Sequence, residues 1–164
     1  MNDVADHLRK LVAEAKPRFQ SLTEGRATEK PLAEKWSLKE VLGHMIDSAA
    51  NNHQRFVRMQ LQPDIGKFSY EQDRWNAAQK YQLERWDNLV ELWVLYNTHL
   101  AHLIEHVDPA ALENTCDMGY EHPAKLRFVM QDYVRHIEHH VEQILSGADP
   151  RQRKTWVRRD PAKQ

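Results

Sequence analysis

Ten of the 164 residues are histidine, and three of them fall together in the run Arg135-His136-Ile137-Glu138-His139-His140. On a helix, residues i and i+4 share one face, so His136 and His140 present two imidazoles that can grip one divalent ion. With Tyr133 taken as the centre of the apolar stripe and about 100° per residue, His140 lies about 20° and His136 about 60° away. His139 falls about 120° off and is expected to face water. Two imidazoles hold an ion weakly, so a third ligand must come from another helix. The segment Trp36–Ser48 offers His44, at the rim of its apolar stripe beside Val41 and Ser48. His53 lies nearer the centre of that stripe and reads equally well as a hydrogen-bonded core histidine. Helical geometry alone does not choose between His44 and His53.

Four amphipathic segments must position these side chains. Residues 3–24 carry Val4, Leu8, Val12, Ala15 and Phe19 at helical spacing, with a kink or break expected at Pro17. The second helix has the clearest start: Ser37 as N-cap, Glu40 three residues on, and Trp36 and Val41 as a hydrophobic staple. It should run to about Leu61, ahead of Pro63 and Gly66. A third pattern covers 84–107, ended by Asp108-Pro109, and a fourth covers 123–146, with Gly147 as its C′ residue and Pro150 beyond. Residues 64–82 form an irregular connection containing a short helix near 73–81. The expected fold is all-α: a four-helix bundle over residues 1–150, with a long connection between helices 2 and 3 and a basic tail over 151–164. With only 5 Gly and 7 Pro, an all-β chain full of tight turns is excluded.

The hydrophobic and charged fractions, 41% and 29%, suit a soluble globular domain. No apolar run approaches the ~20 residues of a membrane span, and Met1–Lys10 has no signal-peptide core. Cys116 is the single cysteine, which excludes an internal disulfide and suits a reducing compartment. A cytoplasmic location is expected. Net charge is −1, so no global field draws in nucleic acid. The tail is different: six Lys/Arg stand against one Asp in residues 151–164. It reads as a solvated tail, and Trp156 is the one residue in it suited to docking. The expected partner is a small-molecule substrate, with neither nucleic acid nor membrane; a homodimer is allowed for.

A capped helix reading Trp-Ser-x-x-Glu-Val-Leu-Gly-His-x-x-Asp (Trp36 to Asp47) and a last helix reading His-x-x-x-His follow one another about 90 residues apart. Together they resemble the DinB/YfiT-like superfamily of metal-binding four-helix bundles, over roughly residues 5–147. The resemblance implies three histidines on one divalent ion, one from the second helix and two from the last. Matched position by position, these are His44, His136 and His140. It ranks nickel and zinc first, although imidazole also suits copper and iron. It further implies a metal-dependent enzyme of the thiol S-transferase type, using a low-molecular-weight thiol such as bacillithiol, mycothiol or glutathione. The alternatives are a metal-dependent hydrolase or a non-catalytic metal- or ligand-binding bundle.

Other polar residues bear on such a site. Asp47, one turn from His44, and Asp132, one turn before His136, are candidates to orient a ligand ring. Asp47 points away from the apolar stripe, however, and reads as a surface carboxylate. Asn97 falls on the apolar stripe of the third helix, where a buried amide either reaches the pocket or caps a backbone group. Trp36, Trp75, Trp86 and Trp93 read as core. Tyr70, Asp73, Arg74 and Trp75 lie in the long connection, where loop residues would line the open end of a bundle. Arg74 reads as solvated there, and Cys116 as packed and unreactive.

Overall fold

Helices form where the apolar periodicity places them. The computed structural model describes residues 1–146, with helices α1 (Asn2–Gln20), α2 (Glu24–Thr28), α3 (Leu38–Leu61), α4 (Gln72–Gln79), α5 (Trp86–Glu105) and α6 (Leu126–Leu145). Gly147, Pro150 and the basic tail with Trp156 lie outside the described residues. α3 starts on a complete capping box. The Ser37 hydroxyl accepts from the Glu40 N–H at 3.2 Å, and the Glu40 carboxylate accepts from the Ser37 N–H at 2.8 Å. α1 does not break at Pro17 but continues to Gln20. Proline there removes one N–H from the last turn, and the Ser21 N–H still bonds to the Pro17 carbonyl at 3.1 Å.

The four long helices pack as a bundle in which α1 and α3 each contact both α5 and α6. Phe19 of α1 sits against Trp86 and Trp93 of α5, at ring-centroid distances of 6.1 and 5.2 Å, and accepts the Trp86 indole N–H on its carbonyl. α2 ties α3 to α5. Its Glu24 carboxylate pairs with buried Lys39 and also accepts the Trp86 N–H at 2.9 Å, serving the start of α5, which has no side-chain cap of its own.

The connections are more ordered than the sequence suggests. Residues 64–82 contain strand β1 (Asp64–Lys67), α4, and a 3₁₀ turn at Tyr81–Leu83. Residues 106–125 contain a 3₁₀ turn at Pro109–Glu113 and strands β2 (Thr115–Asp117) and β3 (Ala124–Lys125). β2 is the middle strand, parallel to β1 and antiparallel to β3. This small sheet fastens both connections to one end of the bundle. There the residues after β1 and those of the β2–β3 turn become walls of a cavity. No helix among the described residues is long and apolar enough to cross a membrane.

Candidate metal centre

His44 enters from α3, a turn and a half past the capping box, and is 4% exposed. The α3 segment around it is tightly fitted. Gly43 lies under the ring of Tyr81, where an added Cβ would stand 2.1 Å from Cδ2. The Tyr81 hydroxyl donates to Asp47 Oδ1 at 2.7 Å, and the Gln79 amide donates to the same oxygen. Asp47 is therefore not a surface carboxylate: it is 1% exposed. Helix α4 and the turn after it fold across that side of α3, a tertiary contact the wheel cannot show. Burial pushes the Asp47 carboxyl above its usual range, against the two hydrogen bonds that favour its charged form.

His136 and His140 enter from α6, both half-buried. The Nε2 atom of His136 lies 3.1 Å from His44 Nε2 and 3.0 Å from His140 Nε2. The ligand atoms of the three rings all fall within 4.8 Å of one another. The far nitrogens face orienting groups: Ser48 Oγ is 3.3 Å from His136 Nδ1, and Gln143 Oε1 is 2.7 Å from His140 Nδ1. An amide oxygen only accepts, so this contact suits the tautomer of His140 with its proton on Nδ1 and the Nε2 lone pair turned inward.

This donor set fits a divalent ion. Three imidazole nitrogens held at the usual ~2.0–2.1 Å from one ion stand about 3.0–3.4 Å apart, and both spacings to His136 fall in that range. Three lone pairs aimed at one point repel unless a cation or a proton lies between them. Among the described residues the set is three imidazoles, and the rings border a cavity of about 380 Å³. Trp36 lines that cavity with its ring centroid 5.3 Å from that of His44. It is half-buried at the rim and not part of the sealed core.

The structure separates the other candidates. His53 is not in this cluster: its ring meets Tyr96 and His99 on α5, at 5.8 and 5.1 Å. Burial, then the neighbouring His99, pull its pKa down. His139 does not simply face water. It is half-buried, its ring centroid 5.0 Å from that of His140, and burial lowers its pKa. Asn97 is fully buried, donating to the Trp93 carbonyl at 2.8 Å and accepting from the Tyr133 hydroxyl at 2.6 Å, so it steadies a residue of the cavity wall. Asp132 lines the cavity and accepts from Arg135 at 2.8 Å and Tyr120 at 3.4 Å.

Trp86 and Trp93 are core, but Trp75 is 41% exposed and rests on Tyr70. Arg74 is exposed and paired with Glu71. Cys116 is buried, and that burial pushes its thiol pKa up. Sequence reasoning passed over Ser48 and Gln143 as ring-orienting groups and Arg55 as a cavity residue. Ser48 and Arg55 sit four and eleven residues after His44, both spacings that return to its helix face. A second histidine group, His102, Glu105 and His106, lies exposed at the end of α5. Its Glu105 is paired with Arg9, and His106 Nδ1 lies 2.9 Å from the His102 carbonyl.

Residues 7–144 match the model of the DinB superfamily. The chain belongs to the DinB superfamily. The chain is 26% identical over 121 residues to a Bacillus mycoides (strain KBAB4) protein named "putative metal-dependent hydrolase", covering 74% of this chain and 68% of that protein. The fold is that of YfiT from Bacillus subtilis, with a TM-score of 0.76, 16% identity, and coverage of 88% of this chain and 83% of YfiT. YfiT is described as "a probable metal-dependent hydrolase with an unusual four-helix bundle topology".

Proposed function

We propose that this DinB superfamily chain is a metal-dependent enzyme acting on a small molecule, with one divalent ion, nickel or zinc, held by His44, His136 and His140. The observation that carries the reading is the convergence of three imidazoles on the wall of a cavity, with the Nε2 atoms of His44 and His140 lying 3.1 and 3.0 Å from that of His136. The ion supplies a Lewis acid that makes water, or a thiol, nucleophilic at neutral pH. The chain supplies the rest. Ser48 and Gln143 hold two of the rings, and Trp36 covers the third. Asp132, an acidic side chain on the cavity wall, is placed to take up the proton released by the nucleophile. Asn97 fixes the Tyr133 hydroxyl at the same wall.

The names of both relatives favour hydrolysis. The family resemblance implies thiol S-transfer with a low-molecular-weight thiol as the other reading. One experiment separates the two: chelator-treated protein, reconstituted with Ni²⁺ or Zn²⁺, is given p-nitrophenyl esters without thiol, and monobromobimane with and without glutathione or cysteine. Metal-dependent ester cleavage supports hydrolysis, and metal-dependent conjugation above the uncatalysed rate supports transfer. Undiminished turnover in the chelated protein removes the ion from the chemistry.

A further inference from the structure

We infer that His102, Glu105 and His106, at the exposed end of α5, form a second transition-metal site whose carboxylate arm Arg9 holds until an ion arrives. The inference stands on these residues and not on the metal-dependent reading of the cavity. Among the described residues, two groups bring three ligand atoms within 4.8 Å of one another: the His44 centre and this one. His102 and Glu105 belong to the last turn of α5, and His106 is its C-cap. The two histidines are four residues apart, which puts both rings on one helix face. Their ring centroids stand 4.3 Å apart, close to the 4.5 Å of the His136–His140 pair. His106 Nδ1 lies 2.9 Å from the His102 carbonyl, an oxygen that only accepts, so the contact suits the tautomer with its proton on Nδ1 and a lone pair on Nε2. Metal-bound histidines ordinarily donate their second ring N–H to such an acceptor, which fixes the ring. The last carbonyls of α5 add partial negative charge beside the rings, which favours a cation there. His99, three residues before His102, meets His53 at 5.1 Å and lies outside the group.

Glu105 is the contested arm. Its Oε2 pairs with Arg9 of α1 and also lies 3.6 Å from His106 Nδ1. An exposed ion pair of this kind contributes little, so an ion that gathers two imidazoles and a carboxylate displaces the guanidinium. Arg9 is not stranded by the exchange, because its Nη1 is 2.9 Å from a second carboxylate, Asp6. Exposed side chains on one helix end do not impose a geometry by enclosure. Affinity then follows the intrinsic order for imidazole and carboxylate donors, with Cu²⁺ ahead of Ni²⁺ and Zn²⁺. Mg²⁺ and Ca²⁺, which take oxygen ligands, should not bind. The ligand is therefore a nitrogen-preferring divalent ion, Cu²⁺ first, and its arrival frees Arg9 from α5.

The test is equilibrium dialysis of the chelator-treated full chain against graded free Cu²⁺, buffered with glycine, with bound copper counted by atomic emission. Wild type should bind about one more Cu²⁺ per chain than His102→Ala/His106→Ala, whatever the buried histidines hold. Subtracting the two curves isolates this site, so its failure and that of the His44 centre are read separately. Glu105→Gln should weaken the isolated isotherm about tenfold. Arg9→Gln should tighten it about two- to fivefold, by freeing the carboxylate. His99→Ala should leave it unchanged. Equal copper uptake by wild type and the double variant overturns the site. Unchanged affinity in Glu105→Gln leaves an adventitious histidine pair only, and overturns it as well. Unchanged affinity in Arg9→Gln overturns the hold of Arg9 on the arm, and a loss in His99→Ala equal to that of the double variant moves the ion elsewhere and overturns the assignment. Circular dichroism melts report folding; where the double variant does not fold, the opposite shifts of Glu105→Gln and Arg9→Gln decide, and their absence overturns the inference.

Discussion

Replacing Gly43 by alanine reverses an ordinary helix effect. In an exposed helix interior, Gly→Ala stabilises by about 1 kcal/mol. Here the new Cβ would meet Tyr81 at 2.1 Å from Cδ2, 2.4 Å from Cγ and 2.5 Å from Cε2. That ring is 6% exposed and anchored through its hydroxyl to Asp47 at 2.7 Å, so it cannot yield without giving up that bond. Overpacking of this kind costs about 1–3 kcal/mol. Loss of a hydrogen bond to a buried carboxylate adds about 1.5–3 kcal/mol. Set against the helix gain, the net loss is about 2–5 kcal/mol. In a chain of this size that lowers Tm by about 4–20 °C. The assay is thermal and urea unfolding followed by far-UV circular dichroism, with a double-mutant cycle through Tyr81→Ala. In the Tyr81→Ala background, Gly43→Ala should become neutral or stabilising, because the ring it strikes is gone. A Gly43→Ala single variant as stable as wild type would refute the argument, as would an equal loss in both backgrounds.

Asp47→Asn should gain on wild type as pH rises from about 3 to 7. Burial raises the Asp47 pKa in the folded chain, so folding is weakened as pH rises from the unfolded carboxyl range through the folded value. Melts of the two proteins across that range check this; a gap that moves in favour of wild type with rising pH contradicts it. Ser48→Ala removes the group facing His136 Nδ1 and should weaken zinc or nickel affinity about 10- to 100-fold, while the melting temperature of the chelated protein stays close to wild type. Competition titration against a chromophoric chelator reads the affinity, and an unchanged value would show that Ser48 does not set the ring.

What the sequence made legible was local. The capping box needs only Ser37 and Glu40, three residues apart, and the inward placement of His136 and His140 follows from helical period. The choice of His44 over His53 was beyond the wheel, and it took the paired family motifs to make it. In the structure, His53 instead meets α5, beside Tyr96 and His99. The missing features are tertiary. β1, β2 and β3 are two to four residues long, too short for an alternating pattern to register. Asp47 is covered by Tyr81 and Gln79, thirty-odd residues later in the chain, and no periodicity on α3 announces them. Arg55 lies on the His44 face by simple counting. An arginine on a helix nevertheless reads as solvated until the segment after β1 is seen to close over it.

The most direct test of the account is the metal stoichiometry of the histidine cluster. Chelator-treated protein is titrated calorimetrically with Ni²⁺ and with Zn²⁺, and the bound metal is counted by atomic emission. All variants carry His102→Ala and His106→Ala, so that the exposed group at the end of α5 adds nothing. The parent should take up about one ion per chain. His44→Ala, His136→Ala and His140→Ala should each abolish that uptake, because two imidazoles do not hold the ion against buffer. His53→Ala should leave it intact. Undiminished binding in any of the three site variants, or loss of binding in His53→Ala alone, would contradict the three-histidine centre.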